Sequence, residues 1–80
     1  MATVIIFTKD ADPYSVRAKS LLTRKGVEFI EKKLPEHAAE MERLTGESAA
    51  PQILIDGQHI GSFEQLGSLE LRGELDALLR

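Results

Sequence analysis

The residues best placed to do chemistry lie in one short stretch, from Lys9 to Ser15. Within it Asp12 directly precedes Pro13, a pair typical of a helix start, with Asp12 as the N-cap and Pro13 at the first helical position. A helix N-terminus presents unpaired N–H groups and about half a positive charge, so it can hold a thiolate, a carboxylate or a phosphate. The stretch therefore predicts an anion-holding helix start, where the Asp12 carboxylate occupies the place of the anion.

The sequence contains no cysteine, and this limits the chemistry more than any other number in the composition. It excludes disulfide bonds, thiolate nucleophiles, cysteine-ligated zinc and iron–sulfur clusters. The two histidines, His37 and His59, are far apart and have no ligand partners at metal-binding spacing. We therefore expect no metal site.

Composition and charge exclude further classes of function. The 80 residues are predicted to form one domain, 1–80. A net charge of −3 argues against a nucleic-acid partner, because nucleic-acid-binding domains are usually strongly basic. No apolar run approaches the ~20 residues that span a bilayer, and the first residues do not resemble a secretory signal. We expect a cytoplasmic monomer without a membrane partner.

Hydrophobic patterns predict the elements that position the Lys9–Ser15 stretch. A β-branched apolar run predicts a buried strand over 3–8, and a one-sided apolar stripe predicts a helix from Pro13 that ends at Gly26. The other predicted elements are a strand beginning at Val27, a helix opened by Pro35 and stopped at Gly46, strands over 52–55 and 58–60 joined by Asp56-Gly57, and a final helical region capped by Ser62 with Gln65 and bent or divided at Gly67 and Gly73.

The predicted order is β-α-β-α-β-β-α. Two strands joined through a helix should be parallel, and the last two should form an antiparallel hairpin, so an α/β fold with a mixed four-stranded sheet and helices on both faces follows. Ligands of such sheets bind beyond the carboxyl ends of the parallel strands. That region holds the loop from Lys9 to Pro13 and the turn before Pro51.

A series of short segments extends, in order, over essentially all of the chain. They are Thr8-Lys9, Pro13-Tyr14, Arg17-Ala18-Lys19, Leu21-Leu22, Lys25-Gly26-Val27, Pro51-Gln52-Ile53, Ile55-Asp56-Gly57-Gln58-His59-Ile60-Gly61 and Gly73-Glu74-Leu75-Asp76. With these segments the chain resembles a bacterial glutaredoxin. The resemblance implies a thioredoxin-like fold, a glutathione-linked thiol–disulfide oxidoreductase activity, and glutathione as the ligand.

The chain departs from the family at the residues that carry the reaction. The family has a Cys-Pro-Tyr-Cys motif at the start of the first helix, and this chain reads Asp12-Pro13-Tyr14-Ser15. In the family the first cysteine attacks disulfides as a thiolate and the second resolves the mixed disulfide. Asp12 forms no sulfur adduct and Ser15 resolves none, so these catalytic positions are not competent for thiol–disulfide exchange.

The resemblance also assigns residues to a glutathione groove. Lys9 corresponds to a basic residue that meets the glycyl carboxylate, and Tyr14 to a tyrosine that lines the groove. Pro51 corresponds to a cis-proline, and the residue before it, Ala50, would pair its backbone with the cysteinyl part of the ligand.

At the other end of the groove the match is looser. Gly61 corresponds to the first glycine of a pair whose second member is Ser62 here. Glu64 stands where an aspartate meets the γ-glutamyl end. The groove is thus expected to be partly retained, with Asp12 placing a negative charge beside the glutathione sulfur.

Each of these residues also has an ordinary structural interpretation. Asp12 could be a plain helix cap, with Ser15 bonding the backbone of the same helix start. Tyr14 could be a packing residue of the helix stripe, Lys9 a solvated loop residue and Pro51 a turn proline.

Three functional hypotheses remain open from the sequence. The first is a glutaredoxin-family oxidoreductase that is redox-inactive in this chain. The second is a binding module that holds glutathione or an extended peptide without chemistry, since a cis-proline turn presents backbone groups to which a ligand can add as a short strand. The third is a transferase-like use of glutathione, with the hydroxyl of Ser15 or Tyr14 supporting a bound thiol.

Overall fold

The computed structural model describes residues 1–80 and contains four strands and four helices. In chain order these are β1 (Val4–Thr8), α1 (Pro13–Arg24), β2 (Ile30–Lys33), α2 (Ala38–Thr45), β3 (Gln52–Ile55), β4 (Gln58–Gly61), α3 (Phe63–Leu71) and α4 (Leu75–Leu79). The order confirms the prediction, and the final helical region is divided into α3 and α4 at one of the two predicted glycines. Gly73 makes this division at a φ of 72°, whereas Gly67 lies inside α3.

The strands form one mixed sheet in the order β2-β1-β3-β4. β1 is parallel to β2 and antiparallel to β3, and β3 and β4 form the predicted antiparallel hairpin. Asp56 and Gly57 make its turn with φ values of 51° and 79°, the positive pair that a type I′ turn requires.

Helices cover both faces of the sheet, as predicted. Alternate residues of β1 point to opposite faces: Ile6 joins a core with Leu22 of α1 and Leu66 of α3, and Phe7 joins a smaller core with Met41 of α2. The sheet is therefore packed between α1, α3 and α4 on one face and α2 on the other.

Two element boundaries predicted from the sequence are wrong. The second strand begins at Ile30, not Val27, and consists mainly of the polar residues Glu31, Lys32 and Lys33. An edge strand tolerates such residues because only one side of it is paired and its side chains reach solvent. The second helix begins at Ala38, not at Pro35, because residues 34–37 form a turn that precedes it.

The first and last residues of the chain meet beside the beginning of β1, at the opposite end of this strand from the start of α1. The N–H of Ala2 donates to the carbonyl of Leu79 at 3.4 Å, and Leu79 packs in the same core as Val4. Nearby, the Lys25 ammonium contacts carboxylates of Glu70 at 2.7 Å and Asp76 at 2.8 Å, which joins the end of α1 to α3 and α4. None of the four helices combines the length and the apolar composition needed to cross a bilayer.

Candidate functional site: the cleft at the start of the first helix

The start of α1 is capped by Asp12, as the sequence predicts. Its Oδ2 accepts hydrogen bonds from the Ser15 N–H at 3.1 Å and from the Ser15 Oγ at 2.8 Å. Ser15 Oγ in turn accepts from the Lys9 N–H at 3.1 Å, and Ser15 is only 1% exposed. The hydroxyl of Ser15 is therefore buried, and its single donor is used within the chain.

The turn before β3 lies next to this helix start. The Ala50–Pro51 peptide is cis and Pro51 is buried. Ala50 lies two residues before the first residue of β3, and neither its N–H nor its carbonyl is hydrogen-bonded within the chain. An extended ligand could therefore bond to these two backbone groups.

A first cavity of about 390 Å³ opens on one side of Ala50. The aromatic rings of Tyr14 and Phe63 form one wall, with centroids 6.3 Å apart, and the Arg17 guanidinium lies 5.2 Å above the Tyr14 ring. Tyr14 is 53% exposed, so it is a surface residue of this cavity more than a packing residue. The complete lining is Tyr14, Ala50, Pro51, Ser62, Phe63 and Glu64.

Gly61 and Ser62 form the edge of this cavity before α3. Gln65 Oε1 accepts hydrogen bonds from the Ser62 N–H at 2.9 Å and from the Ser62 hydroxyl at 2.7 Å. Both donors of Ser62 are therefore used, so Ser62 can offer a ligand only the lone pairs of its hydroxyl oxygen. Gly61 has a φ of 124°, and a Cβ at this position would stand 2.8 Å from Gln65 Oε1. Only glycine fits here without strain.

A second cavity of about 660 Å³ opens on the other side of Ala50. Asp10 pairs with Lys33 at 3.2 Å, and this bond raises the pKa of the Lys33 ammonium. Lys9 takes part in no ion pair and is exposed, so it is the cation this cavity can offer a ligand. The complete lining is Lys9, Asp10, Asp12, Leu34, Pro35, Ala38, Ser48, Ala49 and Ala50.

Most residues selected from the sequence are thus brought together around Ala50. Lys9 and Asp12 line the second cavity, and Tyr14, Pro51, Ser62 and Glu64 line the first. Ser15 lines neither cavity, and Gly61 shapes the edge without lining it. Phe63 was not predicted from the sequence, although an aromatic residue between two predicted positions, Ser62 and Glu64, was an available signal.

Glu31 of β2 forms a further polar network with Thr8, the residue that precedes the Lys9–Ser15 loop. The Thr8 hydroxyl donates to Glu31 Oε2 at 2.7 Å, and the Lys19 ammonium contacts the same oxygen at 2.9 Å. The hydrogen bond from Thr8, together with Lys19, lowers the pKa of the Glu31 carboxyl. This network connects the end of β1 to β2 and α1.

A parallel β1–β2 pair, an antiparallel β3–β4 hairpin, and a buried cis-proline facing a capped helix start define a thioredoxin-like protein. The glutaredoxin family model matches residues 4–60. Glutaredoxin 3 of Escherichia coli is 47% identical over the full length of both chains. The chain belongs to the glutaredoxin family.

Solved structures agree with this assignment. Glutaredoxin from Brucella melitensis superposes with a TM-score of 0.83 at 46% identity, covering 99% of this chain and 89% of that one. The buckwheat glutaredoxin–glutathione complex superposes with a TM-score of 0.87 at 24% identity, covering 98% and 76%, which shows a common fold. The family is a glutathione-linked oxidoreductase family, and this chain lacks the cysteine that such chemistry requires.

Proposed function

We propose that this chain binds glutathione in the cleft around Ala50 without exchanging electrons with it. The observation that carries the proposal is the unpaired backbone of Ala50, which lies between a cavity containing the Glu64 carboxylate and a cavity containing the Lys9 ammonium. Glutathione is a short peptide with a cysteinyl backbone in the middle, an ammonium at the γ-glutamyl end and a carboxylate at the glycyl end. Its three parts complement these three features.

The walls of the cleft suit a ligand that is bound and released unchanged. Tyr14 and Phe63 provide apolar area beside Pro51, and Ser62 offers its hydroxyl oxygen near Glu64. Asp12 places a carboxylate where the family has its reactive thiolate, so a sulfur held there meets a fixed negative charge and remains a neutral thiol. The buckwheat glutaredoxin of the same fold was solved with glutathione bound.

The test is a chemical-shift titration of the ¹⁵N-labelled chain with S-methylglutathione, which cannot form disulfides. We expect shifts at Tyr14, Ala50, Gly61 and Glu64. Lys9→Gln and Glu64→Gln should each weaken binding several-fold, because each removes one charge that complements an end of the ligand. The variant Arg43→Gln, which removes an exposed charge of α2, is the matched control and should bind like the parent chain.

An extended peptide is the second candidate ligand, since it would bond to the same Ala50 backbone groups. The α-linked isomer of the tripeptide, which has the same atoms as glutathione, distinguishes the two ligands. Preference for the γ-linked form supports glutathione, whereas equal binding supports a general peptide site. No response to either ligand would refute the proposal. A monomeric, cytoplasmic protein is part of this proposal and is tested by sedimentation and by fractionation.

A further inference from the structure

A second groove runs away from the cleft between α1 and α3. It has a volume of about 520 Å³, and we call it the α1–α3 groove; its lining is Leu21, Arg24, Phe63, Glu64, Gly67, Ser68 and Leu71. Phe63 and Glu64 also line the first cavity of the cleft, so the groove begins where that cavity ends. None of the groove residues beyond Phe63 and Glu64 belongs to the proposed glutathione site.

The two helices run side by side in the same direction. Their first residues meet through Tyr14 and Phe63, whose ring centroids are 6.3 Å apart, and their last turns meet through the Lys25–Glu70 ion pair at 2.7 Å. The groove therefore has a defined polarity, with Glu64 at the cleft end and Arg24 and Leu71 at the far end. Leu71 is seven positions after Glu64 on the same helix, a rise of about 10 Å.

The charges at the two ends have no partner within the chain. Neither Glu64 nor Arg24 takes part in any ion pair or side-chain hydrogen bond, although Lys25, Glu70 and Arg72 close by are all paired. The groove thus presents one free carboxylate and one free guanidinium at opposite ends.

Between these ends the groove is open, and its lining combines large apolar side chains with Gly67 and the polar residue Ser68. Leu21 is buried, whereas Leu71 is 91% exposed, which is unusual for a large apolar side chain in a helix. Gly67 lies in the middle of α3, and a Cβ there would meet only Phe63 Cζ at 3.9 Å. Glycine lowers stability in a helix interior and no backbone strain requires it here, so its effect is to leave space above the groove.

We propose that the α1–α3 groove binds an extended segment of a partner protein that carries a basic residue, an apolar residue and an acidic residue in this order from the cleft outwards. The basic residue pairs with Glu64, the apolar side chain packs over Gly67 against Leu71, and the acidic residue pairs with Arg24. An extended chain covers about 10 Å in three residues, so the basic and acidic residues are three positions apart. Because Glu64 is also the carboxylate of the proposed glutathione site, glutathione and this segment compete for it, whereas the contacts with Gly67, Leu71 and Arg24 are made by the segment alone.

The probe is the peptide acetyl-Gly-Lys-Leu-Ala-Glu-Gly-amide, titrated at low salt into the ¹⁵N-labelled full chain. We expect shifts at Leu21, Arg24, Gly67 and Leu71, and about fivefold weaker binding when the glutamate of the peptide is replaced by glutamine, the effect of one exposed ion pair. Arg24→Glu should reverse this preference, so that a peptide with lysine in place of its glutamate binds better. Arg43→Glu makes the same charge change on α2 and should leave both affinities unchanged.

A second pair of variants tests the space above Gly67. Gly67→Leu should fill the groove and abolish the peptide shifts, whereas Gly67→Ala should retain most of the binding and stabilise α3. Shifts located elsewhere, no shifts up to the solubility of the peptide, or an unchanged charge preference in Arg24→Glu would overturn the proposal. Shifts at the groove that depend on protein concentration without peptide would assign it instead to a second copy of the chain. Loss of the S-methylglutathione response alone would refute only the proposed function.

Discussion

The Asp12 carboxylate receives two hydrogen bonds from Ser15, one from the backbone N–H at 3.1 Å and one from the hydroxyl at 2.8 Å. The two residues that replace the family cysteines therefore bond to each other and close the start of α1. This arrangement leaves the second oxygen of Asp12, Oδ1, without a hydrogen bond inside the chain.

Removal of the cap should destabilise the fold. We expect Asp12→Ala to lower the free energy of unfolding by about 1 kcal/mol, because it removes the side-chain acceptor at the helix N-terminus and leaves the Ser15 hydroxyl without its acceptor. Urea denaturation measures the change. Asp12→Asn retains an acceptor and serves as the control; equal losses in both variants would show that the charge alone matters.

Restoring the thiols should restore the chemistry of the family. The double variant Asp12→Cys with Ser15→Cys is expected to reduce a glutathione mixed disulfide, while the parent chain shows no activity in the same assay. The single variant Ser15→Cys is the control and should stay inactive, because its thiol is buried and has no nucleophilic partner. An inactive double variant would mean that the remainder of the cleft no longer supports the reaction.

Acid should weaken the network that Glu31 forms with Thr8 and Lys19. The pKa of Glu31 is lowered by the Thr8 hydroxyl and Lys19, so the ionised carboxylate stabilises the fold above the ordinary glutamate pKa, and this contribution is lost as the pH falls through the lowered value. We expect Glu31→Gln to cost about 1 kcal/mol at pH 7 and progressively less on acidification. Unfolding free energies at pH 7 and pH 3 measure the difference, and a cost that does not change with pH would contradict it.

Gly61 should be irreplaceable at the edge of the cleft. Gly61→Ala places a methyl group 2.8 Å from Gln65 Oε1 at a φ of 124°, and we expect it to cost about 1–3 kcal/mol. Combination with Gln65→Ala should recover only part of the loss, since it removes the clash but leaves the backbone strain. Full recovery would show that the clash is the whole effect.

The sequence predicted the start of α1 well because the signals there are local. Asp12 and Pro13 specify a helix start through their own backbone preferences, and Asp56-Gly57 specifies its turn in the same way. β2 was misplaced because its polar residues are stabilised by partners distant in sequence, such as Thr8 and Lys19 around Glu31. Such partners are visible only once the sheet is formed.

In the candidate site, too, local features were predicted and contacts between distant residues were not. The family motif located Tyr14 and Pro51, but it could not show that Ala50 has an unpaired backbone or that Phe63 faces Tyr14, because both facts depend on how β3 and α3 pack against α1. The α1–α3 groove was equally beyond sequence reasoning, since Gly67 looked like a helix breaker and not like part of a surface.

The hydrogen bond between Ala2 and Leu79 determines where a reporter group can be attached. It fixes α4 at the beginning of β1, whereas the cleft lies beyond the other end of that strand, past Thr8. A fluorophore or affinity handle joined after Arg80 would accordingly stand a full strand length away from Ala50. Immobilised or labelled protein prepared in this way would leave the cleft around Ala50 open to solution.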